Sequence, residues 1–142
     1  MKKFIDLGSL GSAAPAIMNL SFVQYIVTSG KVVLVGFIDG SQKGYTSRGC
    51  SVKFAEKIIC EWIALEGERV FVITELGLGI GALKMSRIVS ILFKKRTAFA
   101  VPQIEIWFDS GQLGLRDPKD SMSDEQVNER ANTIFKLFME NT

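Results

Sequence analysis

The segment Lys31–Asp39 constrains the fold more than any other part of the chain. Val33, Val35 and Phe37 alternate to one side, and Val32, Leu34 and Ile38 to the other. A strand apolar on both faces belongs in the interior of a sheet that is covered on both sides. Phe22–Thr28 is equally rich in strand formers, and only Ser29-Gly30 separates the two runs, which is a two-residue hairpin signal. The stretch Gly40–Gly49 that follows reads as a polar loop or a ragged edge strand.

Val52–Glu66 places Val52, Ala55, Ile58, Ile59, Trp62 and Ile63 at helical spacing. Phe54, Ile58, Cys60 and Trp62 also allow a strand, but length and the Ala/Glu/Lys/Leu content favour helix. Gly67 ends it, and Arg69–Glu75 reads as a strand. After the run Leu76–Gly81, a second helical pattern is expected from Ala82 to Lys95, with Met85, Ile88, Val89, Leu92 and Phe93 on its apolar face. Gln103–Phe108 and Gln112–Arg116 flank the turn Asp109-Ser110-Gly111 as a second hairpin. Ile104, Ile106 and Phe108 point one way there, joined by Leu113 and Leu115, and Asp117-Pro118 breaks the chain. Ser123 and Gln126 have capping-box spacing, ahead of a terminal helix whose face carries Val127, Ala131, Ile134, Phe135 and Phe138. Residues 1–21 are irregular, with a short strand at Lys3–Leu7. The expected order is ββαβαββα: an α+β domain over residues 1–142, with a mixed sheet of about five or six strands and three helices.

A length of 142 residues fits one domain with a real core. The chain contains no histidine, which removes Ser-His-Asp and Cys-His nucleophile systems and every His-containing metal site. Cys50 and Cys60 alone cannot complete a tetrahedral zinc site, so no metal and no cofactor is expected. Two reduced thiols point to a cytoplasmic protein. Mean hydropathy is +0.22, and Leu7–Gly30 carries no charge, yet its glycines, Pro15, Asn19 and four serines are wrong for a membrane span. The net charge of +2 hides an uneven distribution: residues 71–100 carry five positive and one negative side chain, and residues 101–142 carry four and eight.

The glycine run offers the sharpest candidate site. Gly77, Gly79 and Gly81, between an expected strand and an expected helix start with Lys84 in its first turn, have the layout that lets backbone N–H groups approach a phosphate. The spacing departs from the dinucleotide and phosphate-loop motifs, and Leu78 and Ile80 make the loop apolar, so a tight packing turn is the competing reading. Glu105 stands near the position of a ribose-binding acid but alternates with core residues. A second candidate is the basic face of the helix at 82–96, with Lys84, Arg87, Lys94, Lys95 and Arg96, suited to an anionic partner, to docking the acidic segment Asp117–Glu129, or to plain solvation. Cys50 beside Arg48 at a helix start has the setting of a lowered thiol pKa, but no histidine is there to serve as its base. Asp39, Glu75 and Asp109 lie at or near strand ends, where carboxylates do acid–base work or simply make turns.

The C-terminal third, a hairpin running into an amphipathic helix, resembles the end of pleckstrin-homology-like domains, and the middle resembles the nucleotide-binding turn of several α/β families. Both likenesses are topological, neither covers more than about a third of the chain, and no residue role is carried over. The function expected from the residues is non-catalytic: a binding protein of inhibitor or immunity type that engages a protein partner or a second copy of itself. A nucleotide- or phosphate-ligand domain at Gly77–Gly81 and a nucleic-acid surface on the basic helix are the alternatives.

Overall fold

The computed structural model of the chain describes residues 3–73, 80–111 and 123–140, together with the backbone of Leu113–Pro118. The fold is α+β, built as two compact units, Met1–Arg87 and Ile88–Thr142.

The first unit starts with strand β1 (Phe4–Asp6), the one-turn helix α1 (Leu7–Leu10) and β2 (Ile17–Asn19), followed by a 3-10 turn at Leu20–Phe22. β1 and β2 pair with Ile5 opposite Met18, both buried, so Phe4, Asp6, Ile17 and Asn19 occupy the outer face. Next come β3 (Val23–Ser29), β4 (Val32–Phe37), the edge strand β5 (Gln42–Thr46), helix α2 (Ser51–Glu66), β6 (Val70–Ile73) and β7 (Gly81–Lys84). The five strands pair antiparallel throughout in the order β5-β4-β3-β7-β6, where a mixed sheet was expected. β4 is interior, as its two apolar faces require. Gly30 makes the first hairpin turn with φ +62°, the positive value a two-residue turn needs at its first central position. α2 lies against the face that carries Ile26, Val33, Val35 and Ala82, burying Phe54, Ala55, Ile58, Ile59 and Trp62 among them. Gly67 caps it as expected, donating its N–H to Ile63 O.

The second unit holds β8 (Ile88–Lys94), β9 (Gln103–Phe108), β10 (Leu113–Pro118) and helix α3 (Asp124–Glu140), with strand order β10-β9-β8. Ile104, Ile106 and Phe108 are buried, as are Val127, Ala131, Ile134 and Phe138 of α3, which packs on β8 and β9. The capping box forms: Gln126 N–H donates to Ser123 Oγ at 3.2 Å, and Ser123 N–H to Gln126 Oε1 at 3.0 Å. Asp117 and Pro118, expected to break the chain after Arg116, are instead the last residues of β10, an edge strand, where a missing N–H is tolerated. The expected orientation of Leu113 and Leu115 lies outside the described side chains.

The helix expected over 82–95 is absent. That stretch is β7, a 3-10 turn at Met85–Arg87, and β8. The third helix of the expected set is replaced in the count by the short α1. A register shift between Ile88 and Ser90 in β8 breaks strict alternation and leaves apolar residues at spacings that imitate a helical stripe. Among the described residues no helix is long and apolar enough to cross a membrane.

Candidate functional site

A cleft of about 560 Å³ lies in the first unit, between β2 with its 3-10 turn and the turn end of the β4–β5 hairpin. Ile17, Met18, Asn19 and Phe22 form one wall; Phe37–Asp39, Ser41, Lys43 and Tyr45 form the other. Each wall is fixed by short polar residues binding their own backbone. Asn19 Oδ1 accepts from Ser21 N–H at 3.0 Å and from Ser21 Oγ at 2.6 Å, holding the turn that presents Phe22. Asp39 Oδ1 accepts from Ser41 Oγ at 2.6 Å and Ser41 N–H at 2.8 Å, and these bonds hold its carboxyl below the usual range. Ile38 N–H donates to Phe22 O at 2.8 Å and joins the two walls.

The register of β4 and β5 sets Lys43 beside Val35 and Tyr45 beside Val33, on the face that carries the core. Tyr45 is half-buried, and burial pushes its hydroxyl pKa up. Lys43 is exposed and makes no ion pair among the described residues. Two large apolar side chains of the lining are exposed, Ile17 at 73% and Phe22 at 50%, and Phe4, on the same outer hairpin face as Ile17, is 61% exposed.

The residues singled out in the sequence fall elsewhere. Gly77 and Gly79 lie outside the described residues. Gly81 opens β7, buried and paired with Ile73 and Val27, and β6 and β7 are antiparallel neighbours. Without a helix at 82, no helix N-terminus follows the glycine run. Lys84 ends β7 with its Nζ 3.4 Å from Glu66 Oε1, at the end of α2. The basic residues share no helix face: Lys84 and Arg87 belong to the first unit, Lys94, Lys95 and Arg96 to the second. Arg87 donates to Ile38 O at 3.4 Å, and Lys94 stands 3.5 Å from Glu105. Arg96 donates its backbone N–H to Asp124 Oδ1 at 3.1 Å, a contact between the basic stretch and the acidic segment.

Glu105 is 1% exposed and accepts from Gln103 Nε2 at 2.8 Å and Trp107 Nε1 at 3.2 Å, so its carboxylate is engaged by neighbours on its own strand as well as by Lys94 of β8. Asp109 is exposed at the end of β9, and Glu75 lies outside the described residues. Cys50 is the N-cap residue of α2, exposed and without a side-chain capping bond, beside a hollow of about 400 Å³ that Arg48, Lys53 and Lys57 also line. Cys60 is exposed on α2 rather than set against its packed face. Among the described residues no group of three or more cysteines and carboxylates is placed to hold a metal ion.

Sequence reasoning passed over the cleft. Its signals were present as Asn19-x-Ser21 and Asp39-Gly40-Ser41, side-chain turns beside aromatic residues, but they read as loop chemistry until β2 and β4 are brought together. No protein-family model, no curated protein and no solved structure matches this chain.

Proposed function

We propose that this protein is a non-catalytic binding protein that engages a protein partner through the cleft of its first unit and the outer face of the β1–β2 hairpin. The observation that carries this reading is the exposure of Ile17 and Phe22 on the wall of one cleft, with Phe4 exposed on the same hairpin face as Ile17. Single exposed apolar side chains are ordinary, whereas several large ones gathered at a concave site favour association. Asn19 and Asp39, with their serine partners, are bound to their own turns, which suits a surface for recognition more than one for chemistry. The basic residues give less support to a nucleic-acid surface, because Lys84 and Lys94 already face carboxylates.

The test is comparative affinity capture from the source cells, using the wild-type chain and the Ile17→Asp/Phe22→Asp variant. A partner retained by the first and lost by the second is then purified and titrated. The expected loss is at least about tenfold in affinity, the scale of truncating a central apolar anchor. Equal binding by both proteins would overturn the reading. A rise in melting temperature on adding nucleotide or phosphate, abolished by Gly79→Val, would favour the ligand site at Gly77–Lys84 instead.

A further inference from the structure

The hydrogen-bonding pattern of β5 goes a step further than the exposed rim. Successive residues of an edge strand turn their N–H and C=O groups alternately toward the neighbour and away from it. Ser41 O accepts from Phe37 N–H at 2.8 Å, and Ser47 N–H donates to Lys31 O, so 41, 43, 45 and 47 face the β4 side. Residues 42, 44 and 46 therefore face outward. The outward place at Thr46 is already taken, since Ala13 N–H donates to Thr46 O at 2.8 Å and Ser12 bridges Ser47. Among the described residues Gln42 and Gly44 have no such cover: both are exposed, and the bridge of the N-terminal segment to the edge lies at Ser12 and Ser47. Gly44 also lacks a side chain to shield its own peptide groups.

We infer that an extended segment of the partner adds to the sheet as a strand beside Gln42–Gly44, with an acidic residue opposite Lys43. This rests on the reading of the cleft as a partner site and names how the partner is held. Main-chain bonds to an open edge give such a mode its affinity, and pockets for alternate side chains give its specificity. Here the side chain opposite Lys43 and its neighbours two positions away project toward the cleft face, where the partly exposed Phe37 and Tyr45 offer apolar surface. The charge selects the occupant. Pairing two copies of β5 antiparallel through Gln42 and Gly44 would set Lys43 directly across from its own counterpart, a repulsive like-charge pair. An acidic residue in that place gains what a second copy loses.

A random dodecapeptide library displayed on phage is selected against the full chain, and enriched peptides are made synthetically. The expected peptides alternate apolar residues around one Asp or Glu. They protect the Gln42 and Gly44 amides from hydrogen exchange, and they lose at least tenfold in affinity when N-methylated at every second position but not between. Gln42→Pro, which removes an outward N–H without touching the β4 ladder, weakens them similarly. Lys43→Glu reverses the preference from Asp to Lys at the central position. No enriched sequence, an N-methyl scan without a period of two, or binding that ignores both variants would overturn strand addition. If the captured partner were still lost on Ile17→Asp/Phe22→Asp in that case, the cleft would remain a partner site with a different mode of docking.

Discussion

At Gly36 one methyl group decides how closely β3 and β4 can pair. A Cβ built there lies 1.8 Å from Tyr25 Cε2, because the buried Tyr25 ring lies across the glycine opposite it in the register. Gly36→Ala is expected to cost about 2–3 kcal/mol, as overpacking in a filled core does. Adding Tyr25→Leu should recover part of that loss, so a double-mutant cycle in urea gives a coupling well away from zero. Burial also pushes the Tyr25 hydroxyl from 10.0 up to about 12. The folded chain thus holds this proton after the unfolded chain has released it, and stability present below pH 10 falls as pH rises toward 12. The slope is about 1.4 kcal/mol per pH unit for one such group. Urea titrations between pH 9 and 11.5 should show a shallower decline in Tyr25→Phe than in the wild type; parallel declines would place the effect elsewhere. In the sequence Gly36 is only an interruption of one apolar face of β4. Its need for a missing side chain becomes visible once the register puts Tyr25 opposite it.

Among the elements, those whose signals are local were legible: the 23–37 hairpin, α2 with its Gly67 cap, β9, and α3 with its capping box. Ser123→Ala should therefore destabilise the chain by about 1 kcal/mol, the usual worth of an N-cap, with Gln126→Ala non-additive because the two bonds are reciprocal. The stretch 82–95 was not legible, since its structure depends on a bulge and on partners far along the chain. Ile88, Leu92 and Phe93 were counted for one helical face, whereas β8 pairs Ile88 with Phe108, Leu92 with Glu105 and Phe93 with Ile104. Lys84 shows the consequence for the site. It joins β7 to the end of α2 through Glu66, which Arg69 also approaches at 3.5 Å. Lys84→Met is expected to lower stability by about 1.5–3 kcal/mol in thermal or urea unfolding, the range for losing a hydrogen bond to a charged group. An unchanged melting temperature would show that the contact carries nothing.

Over the whole chain, strand alternation marks apolar residues for the core but does not mark which of them remain outside it. The cleft draws its walls from residues 17–22 and 37–45, and no window of sequence holds both. The hairpin that supplies one wall divides its neighbours sharply: Met18 is 2% exposed within the core, and Ile17, next in the chain, is 73% exposed. That alternation separates a core position from a surface position. Met18→Ala should cost about 2–5 kcal/mol, the range for emptying a buried site, and should lower the melting temperature. Ile17→Ser with Phe22→Ser should change stability by no more than about 0.5 kcal/mol per site, as for surface positions free of special contacts. The same double variant should bind less of a fluorescent apolar dye and lose the partner's affinity. A double variant that melts far below the wild type would mean that these side chains serve the fold. One that keeps its melting temperature while losing the partner would assign them to the interface, and the two measurements on one protein decide between these uses of the same apolar surface.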